Sequence, residues 1–339
     1  MFLNDKNIDK YLYYWLIVMF MLVSSIIIVG GLTRLTDSGL SITQWELIKG
    51  FLPPLSKYEW DHYFSLYKQI PEYKLQNFNM NLNEFKIIFW WEWAHRFLGR
   101  LIGLCFLIPL IYFTLKKGFA NTKSLFVIFF LICFQGFLGW FMVKSGLVNR
   151  VDVSHFRLSM HLTTAFIILS LILWNILKYK KFNLINNDII KYNLPSIFVF
   201  IIFLQIVFGA FVSGMDAGKI YNTWPLMGNN YFPDDNVFLN LFNINVLSDP
   251  SIVQFIHRNL AYLLLIVFLL ILYFVIKEKL LKFYNILKSL GVILLVQIFL
   301  GIMTILSGAQ MVLASMHQIS SIILISLSIY LLFINKKIN

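Results

Sequence analysis

Histidine is rare in this chain, and four of its six copies recur as two similar pairs. These four residues are His95, His161, His257 and His317. The first and third precede an arginine, and the second and fourth follow a Ser-Met dipeptide. Neutral imidazole is a good axial ligand for haem iron, and helical bundles build cofactor sites from side chains on facing helices. The pattern therefore predicts two bis-histidine haem sites.

Other interpretations of these residues are less favoured. A zinc site is disfavoured because no acidic or thiol ligand is repeated beside the histidines. His62 and His155 have no counterpart elsewhere in the chain, so we leave them out of the ligand set. Arg96 and Arg258 suit charge-assisted pairing with haem propionates, with ordinary snorkelling at the membrane interface as the alternative.

One position breaks the symmetry between the pairs. Glu92 stands three residues before His95, whereas Gln254 stands three residues before His257. Residues three apart share a helix face, so a carboxylate is expected beside the first haem and a non-ionisable isostere beside the second. Such a carboxylate can act as a base, orient water or stabilise positive charge. We predict a reactive first site and a resident cofactor at the second, with a plain Glu92 to Arg96 ion pair as the alternative.

The composition indicates that membrane helices position these residues. The chain has 339 residues, of which 59% are apolar and 13% charged, and its mean hydropathy is +0.75. Soluble domains do not have this composition. The net charge of +12 does not indicate a nucleic-acid partner, because the lysines stand in short groups between apolar runs. Cys105 and Cys133 lie inside such runs, so we expect no disulfide and no thiolate metal site.

Eight apolar runs are long enough to cross a hydrocarbon core of about 30 Å as helices. They lie near 13–32, 89–114, 124–143, 158–177, 195–213, 253–276, 286–306 and 313–334. Lysines follow every second run, namely Lys116, Lys117, Lys123, Lys178, Lys180, Lys181, Lys191, Lys277, Lys279, Lys282, Lys288, Lys336 and Lys337. By the positive-inside rule both termini are cytoplasmic, and the long loops 34–86 and 214–252 lie outside. The four histidines are then expected toward the outer face.

The chain also contains an internal repeat. Besides the histidine motifs, the matched positions include Gly30 with Gly209, Asp37 with Asp216, Trp45 with Trp224, Gln135 with Gln297, and Gly139 with Gly301. Small residues such as Gly139 are expected to mark close helix packing. Four helices return the chain to the same side, so the halves share one orientation. We predict an all-α polytopic membrane protein with eight transmembrane helices, arranged as two parallel-repeat four-helix bundles over 1–185 and 186–339.

Longer stretches carry a resemblance to a known family. They are GGLTRLTDSGLSITQWELIKGFLPPL, EFKIIFWWEWAHRFLGR, IHRNLAY and the histidines in MHL and MHQ. Together they are similar to haem A synthase, a membrane enzyme family related to cytochrome oxidase assembly, and the similarity covers essentially the whole chain. Some members carry a cysteine pair in an outer loop. This chain has none there, so it resembles the class without that pair.

The resemblance implies an activity and a role for each site residue. The C8 methyl of haem O would be oxidised to a formyl group through hydroxymethyl haem, called haem I, with water as oxygen source and an electron acceptor. His257 and His317 would hold a haem B cofactor. His95 and His161 would frame the substrate haem, and Glu92 would assist its oxidation. Because haem O carries a farnesyl tail, the first site would need a route open to lipid.

The resulting hypothesis is an oxidoreductase of the bacterial inner membrane that makes haem A. The alternative is a quinol-linked bis-haem cytochrome for electron transfer, which has less need of the Glu92 and Gln254 asymmetry. A transporter is less favoured, because the ionisable residues cluster at the outer helix ends and not at the midplane. The expected partners are the haems and membrane lipid, with haem O synthase, oxidase assembly factors and a second copy of the chain as candidates.

Overall fold

The computed structural model describes residues 5–149, 151–180 and 188–336, which are mostly helical. The α-helices of this part of the chain are α1 (Asp5–Leu35), α2 (Lys57–Tyr67), α3 (Pro71–Leu75), α4 (Leu82–Lys117), α5 (Phe119–Asn149), α6 (His155–Tyr179), α7 (Leu194–Gly214), α8 (Pro250–Lys277), α9 (Tyr284–Leu306) and α10 (Met311–Ile334). All except α2 and α3 are long and apolar enough to cross a membrane, which makes eight spans. The predicted all-α, eight-span membrane fold is confirmed.

Each predicted span lies inside an observed helix, and the helices extend further than the apolar runs. Helix α4 begins at Leu82 because Asn81 and Glu84 form a capping box, in which each side chain accepts a hydrogen bond from the other's backbone N–H. Helix α8 begins at Pro250 behind Asp249, whose side chain accepts from the backbone of Ile252. Polar caps therefore set these two starts.

The chain divides into two compact units, and the first covers residues 1–172. In this unit α4 packs against both α1 and α5. Two hydrogen bonds fasten α1 to α4: the Trp15 indole donates to the Cys105 carbonyl at 2.9 Å, and the Thr33 hydroxyl donates to the Trp91 carbonyl at 3.3 Å. Helix α4, which bears His95, is therefore held at several levels.

The long loop of the first unit, residues 36–81, is an ordered layer over the start of α4. The Phe64 ring of α2 stacks on Phe85 of α4 with centroids 5.0 Å apart, and Trp60 of α2 contacts Phe89 of α4 at 4.9 Å. These rings belong to one buried aromatic cluster. The loop thus packs directly on the helix that positions the first histidine.

The second unit covers residues 173–339 and contains α7 to α10. Helix α7 packs against α8 and α10, and α9 packs against α10. Its long loop, residues 215–249, is fastened to the start of α8 through Asp235, which accepts from the Tyr221 hydroxyl at 2.8 Å and from the Ser251 hydroxyl at 2.6 Å. This loop is shorter than its counterpart and contains three short 3₁₀ helices.

The predicted half boundary at 185 and 186 falls within 181–187, outside the described residues, as do Lys181 and Lys337. The compact units divide at 172 and 173, inside α6. The assignment of the halves 1–185 and 186–339 stays a prediction.

Candidate functional site

Each compact unit brings one pair of imidazoles together. The rings of His95 on α4 and His161 on α6 have centroids 6.3 Å apart and planes at 70°. The rings of His257 on α8 and His317 on α10 have centroids 6.5 Å apart and planes at 77°. A metal–imidazole bond is about 2 Å long, so a metal between two imidazoles holds their centroids roughly 6 Å apart. The spacing of both pairs suits one metal ion between two axial histidines.

A glycine on a neighbouring helix faces each of these imidazoles. A Cβ atom built on Gly30 would lie 3.0 Å from the Nε2 atom of His95. The equivalent distances to the Cε1 atoms are 3.1 Å for His161, 3.2 Å for His257 and 3.1 Å for His317. The facing residues there are Gly139, Gly209 and Gly301. Any larger residue would crowd the rings, so the glycines leave space for the imidazoles.

Hydrogen bonds fix the tautomer of His317 in the second unit. Its Nδ1 atom lies 3.1 Å from the main-chain carbonyl of Gln297. A carbonyl only accepts, so Nδ1 carries the proton and Nε2 keeps its lone pair. This is the form that binds a metal through Nε2, with a second partner that orients the ring. The donor chemistry of His317 and the ring spacing of both pairs therefore fit a haem iron.

Three of the four histidines accept a hydrogen bond at their main-chain carbonyl from a glutamine side chain. The Nε2 atoms donate to the histidine carbonyls at 2.9 Å from Gln135 to His161, at 3.1 Å from Gln205 to His257, and at 3.0 Å from Gln297 to His317. Each glutamine stands four residues before the glycine that faces the same histidine. The helix that bears the glycine and the glutamine thus contacts both the ring and the backbone of its histidine.

Glu92 stands three residues before His95 on α4 and is a buried carboxylate, with 2% of its surface exposed. One oxygen accepts from Arg96 Nε at 3.0 Å and Nη2 at 2.6 Å. The other accepts from the Ser41 hydroxyl at 2.7 Å and the Ile42 N–H at 2.6 Å. The structure therefore shows the ion pair that the sequence left as an alternative, and it adds a bond from the carboxylate to the long loop.

The two arginines hold equivalent carbonyls of the two long loops. Arg96 donates from Nη2 to the Ile42 carbonyl at 2.7 Å and from Nη1 to the Gln44 carbonyl at 3.2 Å. Arg258 donates to the carbonyls that match these in the repeat, Tyr221 at 3.0 Å and Thr223 at 2.9 Å. Both guanidinium groups are therefore committed to the backbone beside the imidazole pairs, a role that the sequence did not reveal.

Gln254 donates a hydrogen bond to the long loop at the position where Glu92 accepts one. Its Nε2 atom donates to the Tyr221 carbonyl at 3.1 Å, whereas Glu92 accepts from the N–H of the matching residue Ile42. Arg258 is 6% exposed and pairs with no carboxylate among the described residues. The first site therefore combines a buried cation with a buried anion, and the second keeps the cation alone.

A cavity of about 260 Å³ opens beside Arg96 in the first unit. Trp45 and Trp140 contribute to its walls, with the Arg96 guanidinium 5.6 Å from the Trp45 ring and the Lys144 ammonium 5.0 Å from the Trp140 ring. Arg96 is already paired with Glu92 and the loop carbonyls, so the Lys144 ammonium and the two aromatic faces are the groups that suit the acidic edge of a flat apolar ligand.

A second buried carboxyl lies in the long loop of the first unit. Glu72 is 3% exposed, and its oxygen accepts from the Tyr67 hydroxyl at 3.0 Å. Burial raises the pKa of Glu72 to about 8, with a further upward contribution from the negative charge of Glu92. No sequence pattern singles out this residue, because only its burial distinguishes it from other loop acids.

The remaining histidines lie apart from the pairs. His62 is exposed on α2, next to Tyr63. His155 begins α6, where its ring contacts Phe156 with centroids 4.2 Å apart. Neither of them joins the two imidazole pairs.

The fold and the two imidazole pairs define a class: a multi-pass helical membrane protein with two candidate haem sites. Residues 13–329 match the family described as cytochrome oxidase assembly protein, COX15-CtaA. A protein named heme A synthase from Pelagibacter ubique is 50% identical over 345 residues, which cover 100% of both chains. Its namesake from Rickettsia bellii is 43% identical over 96% of this chain and 97% of its own. That from Flavobacterium johnsoniae is 40% identical over 96% and 98%.

The chain belongs to the haem A synthase family. The resemblance noted from its motifs is thereby confirmed over its full length.

Proposed function

We propose that this chain oxidises haem O to haem A. Its family membership supports a place in haem A biosynthesis, as an oxidoreductase that acts on haem and serves cytochrome oxidase assembly. The proposal is carried by the two imidazole pairs, whose ring centroids lie 6.3 Å and 6.5 Å apart, together with the buried Glu92 three residues before His95 where Gln254 precedes His257.

The reaction proceeds in two oxidations at the C8 methyl of haem O. The first replaces one C–H bond by C–OH with oxygen from water, which gives hydroxymethyl haem (haem I) and releases two electrons and two protons. The second adds another hydroxyl in the same way, and the hydrated aldehyde loses water to give the formyl group. The electrons leave to an acceptor outside the chain.

The first site holds the substrate. His95 and His161 hold the iron of haem O, and the cavity beside Arg96 and Lys144 accepts the acidic edge of the ring. Glu92 provides a fixed negative charge near the reacting ring, because four hydrogen bonds hold both of its oxygens. Such a charge stabilises positive charge that develops on the substrate during oxidation. These contacts favour this electrostatic role over proton abstraction.

The second site holds a resident haem B between His257 and His317. A resident haem supplies reversible one-electron chemistry. Arg258 holds the long loop against this site, and Gln254 gives it no carboxylate. The protein lies in the bacterial inner membrane with both termini cytoplasmic and both sites toward the outer face. Membrane lipid surrounds it, and haem O synthase, oxidase assembly factors and a second copy of the chain are candidate partners.

Haem extraction tests the proposal. The full chain is expressed in a host that makes haem O but no haem A, and the haems of the purified protein are identified by chromatography with mass spectrometry. We expect haem B together with hydroxymethyl or formyl haem. Two equivalents of haem B with untouched haem O would contradict the proposal and indicate an electron-transfer cytochrome.

A further inference from the structure

The four helices that face the histidines follow one pattern with one exception. Three of them place a glutamine four residues before the facing glycine, and each glutamine donates to its histidine's carbonyl. On α1 the facing glycine is Gly30, and the residue four positions before it is Ile26. The side chain of Ile26 has no hydrogen-bonding group. Its Cδ1 atom lies 3.7 Å from a Cβ atom built on Gly99, which stands one helical turn after His95 on α4. His95 therefore lacks the contact that the other three histidines share.

The imidazole of His95 also has a different orientation. The atom nearest to the facing glycine is Nε2 in His95 and Cε1 in the other three histidines. The edge of His95 that faces α1 is therefore Nε2–Cδ2, whereas the other three rings face their glycine with Cε1, which lies between the two ring nitrogens.

The hydrogen bonds around the rings are unequal between the two units. In the second unit His317 donates from Nδ1 to the Gln297 carbonyl at 3.1 Å, and Gln205 Nε2 lies 3.3 Å from His257 Nε2. The Nδ1 atoms of His161 in the first unit and of His257 in the second have no hydrogen-bond partner among the described residues. Partners on the outer side of a ligand fix its ring and strengthen its bond to a metal. Among the described residues only His317 of the four has such a partner at Nδ1, so the second pair has one ring fixed in this way and the first pair has none.

We infer that His95 is the ligand that leaves the iron when haem enters or departs the first site, and that Ile26 is the positioning residue that leaves it exchangeable. The inference rests on the proposed function, since it requires haem between His95 and His161. A substrate haem must exchange at every turnover, whereas a resident haem must stay. Because His95 lacks the glutamine contact, it can leave the iron of the substrate haem, while the histidines of the second site keep the resident haem bound.

Carbon monoxide binding to the reduced protein tests the inference. A six-coordinate haem accepts carbon monoxide only after one axial histidine has left, so the rate reports ligand release. The full-length protein is purified with both haems from the haem O-making host. In Ile26→Gln we expect the first-site rate to fall about tenfold, as one added hydrogen bond predicts. The matched variant Ile26→Leu fills the same space without a donor and should keep the original rate.

Equal rates in Ile26→Gln and Ile26→Leu, with haem present at both sites, would overturn the inference while leaving the proposed function intact. Haem retention gives a second measurement that does not depend on the glutamine side chain. Replacing the leaving ligand should keep the haem, so His95→Ala is expected to retain a five-coordinate first-site haem. His161→Ala is expected to lose it.

Retention in His161→Ala and loss in His95→Ala would assign release to His161 and contradict the inference. A wild-type protein with haem only between His257 and His317 would contradict the proposed function itself, and with it the inference.

Discussion

Glu92 is the residue that distinguishes the first site from the second. Its buried pair with Arg96 has N and O atoms 2.6 Å apart, and its other oxygen binds the loop at Ser41 and Ile42. In the other half Gln254 takes its place. The duplication thus provides its own comparison between a charged and an uncharged version of one position.

Replacing Glu92 by glutamine should separate catalysis from cofactor binding. The variant Glu92→Gln removes the negative charge but keeps the shape, so haem A formation should fall about 100-fold, as for loss of one electrostatic stabiliser. Haem B at the second site should remain. Extracted haems measure both quantities, and Glu278→Gln, which affects a surface pair with Lys191, is the control. Undiminished haem A formation in Glu92→Gln would remove Glu92 from the reaction.

The glycines that face the imidazoles allow a second prediction, about haem binding. In Gly139→Ala the added Cβ would lie 3.1 Å from the ring of His161, a tight contact that should turn the imidazole. We expect less haem per chain and a smaller low-spin fraction in the absorption spectrum. Gly136→Ala is the matched control, because a Cβ on this residue of the same helix meets nothing within 4 Å. Equal spectra for the two variants would show that ring space does not limit binding.

Residue types and the duplication allowed the histidines, Arg96, Arg258 and Glu92 to be singled out before the fold was known. The contacts of the glycines and glutamines were not predicted, because they depend on how each helix is rotated about its axis. Gly139 was expected only to mark helix packing, and the structure shows it facing an imidazole. The signal was present in part, since Gln135 and Gly139 share their spacing with Gln297 and Gly301.

Among the elements, the long loop of the first unit has no counterpart of equal length in the second. Helices α2 and α3 lie in it, and their aromatic cluster packs on the start of α4. The Ser56 and Glu59 capping box that begins α2 has a pattern that is readable in the sequence. The packing is not, because a small aromatic core outside the membrane has no hydropathy signal.

The buried carboxyl of Glu72 should make this loop sensitive to pH. Its pKa in the folded state, about 8, lies above the ordinary value of 4.5, so the folded loop binds the proton more tightly. Its contribution to stability is then complete below about 4.5 and is lost as pH rises through about 8. Hydrogen exchange of residues 57–77 should accelerate between pH 6 and pH 8 beyond the intrinsic chemical rate.

Glu72→Gln cannot ionise and is the matched control for this effect. It should keep the hydrogen bond from the Tyr67 hydroxyl while it removes the excess acceleration. The same acceleration in Glu72→Gln would show that another group is responsible.

For the whole molecule, apolar run length predicted the number of spans, because the thickness of a bilayer fixes it. The helix ends were less predictable, since polar caps carry the helices beyond the apolar runs. The chain divides into compact units at 172 and 173, and the division of 1–185 from 186–339 stays a prediction.

Charge distribution predicts the orientation in the membrane. In a background with Cys105 and Cys133 replaced by alanine, a cysteine at the exposed position Ser65 should react with a membrane-impermeant maleimide in intact cells. A cysteine at Lys277 should react only after the membrane is permeabilised. The reverse pattern would invert the topology and place the long loops in the cytoplasm.

We propose that the two units hold different haems for different purposes. The measurement that tests this most directly is the identity and amount of haem extracted from two double variants, produced in the haem O-making host. His95→Ala with His161→Ala should keep one equivalent of haem B and contain no haem O or its oxidised products. His257→Ala with His317→Ala should lose haem B and form no haem A. Haem B lost from the first variant and kept by the second would contradict the assignment of substrate and cofactor to the two sites.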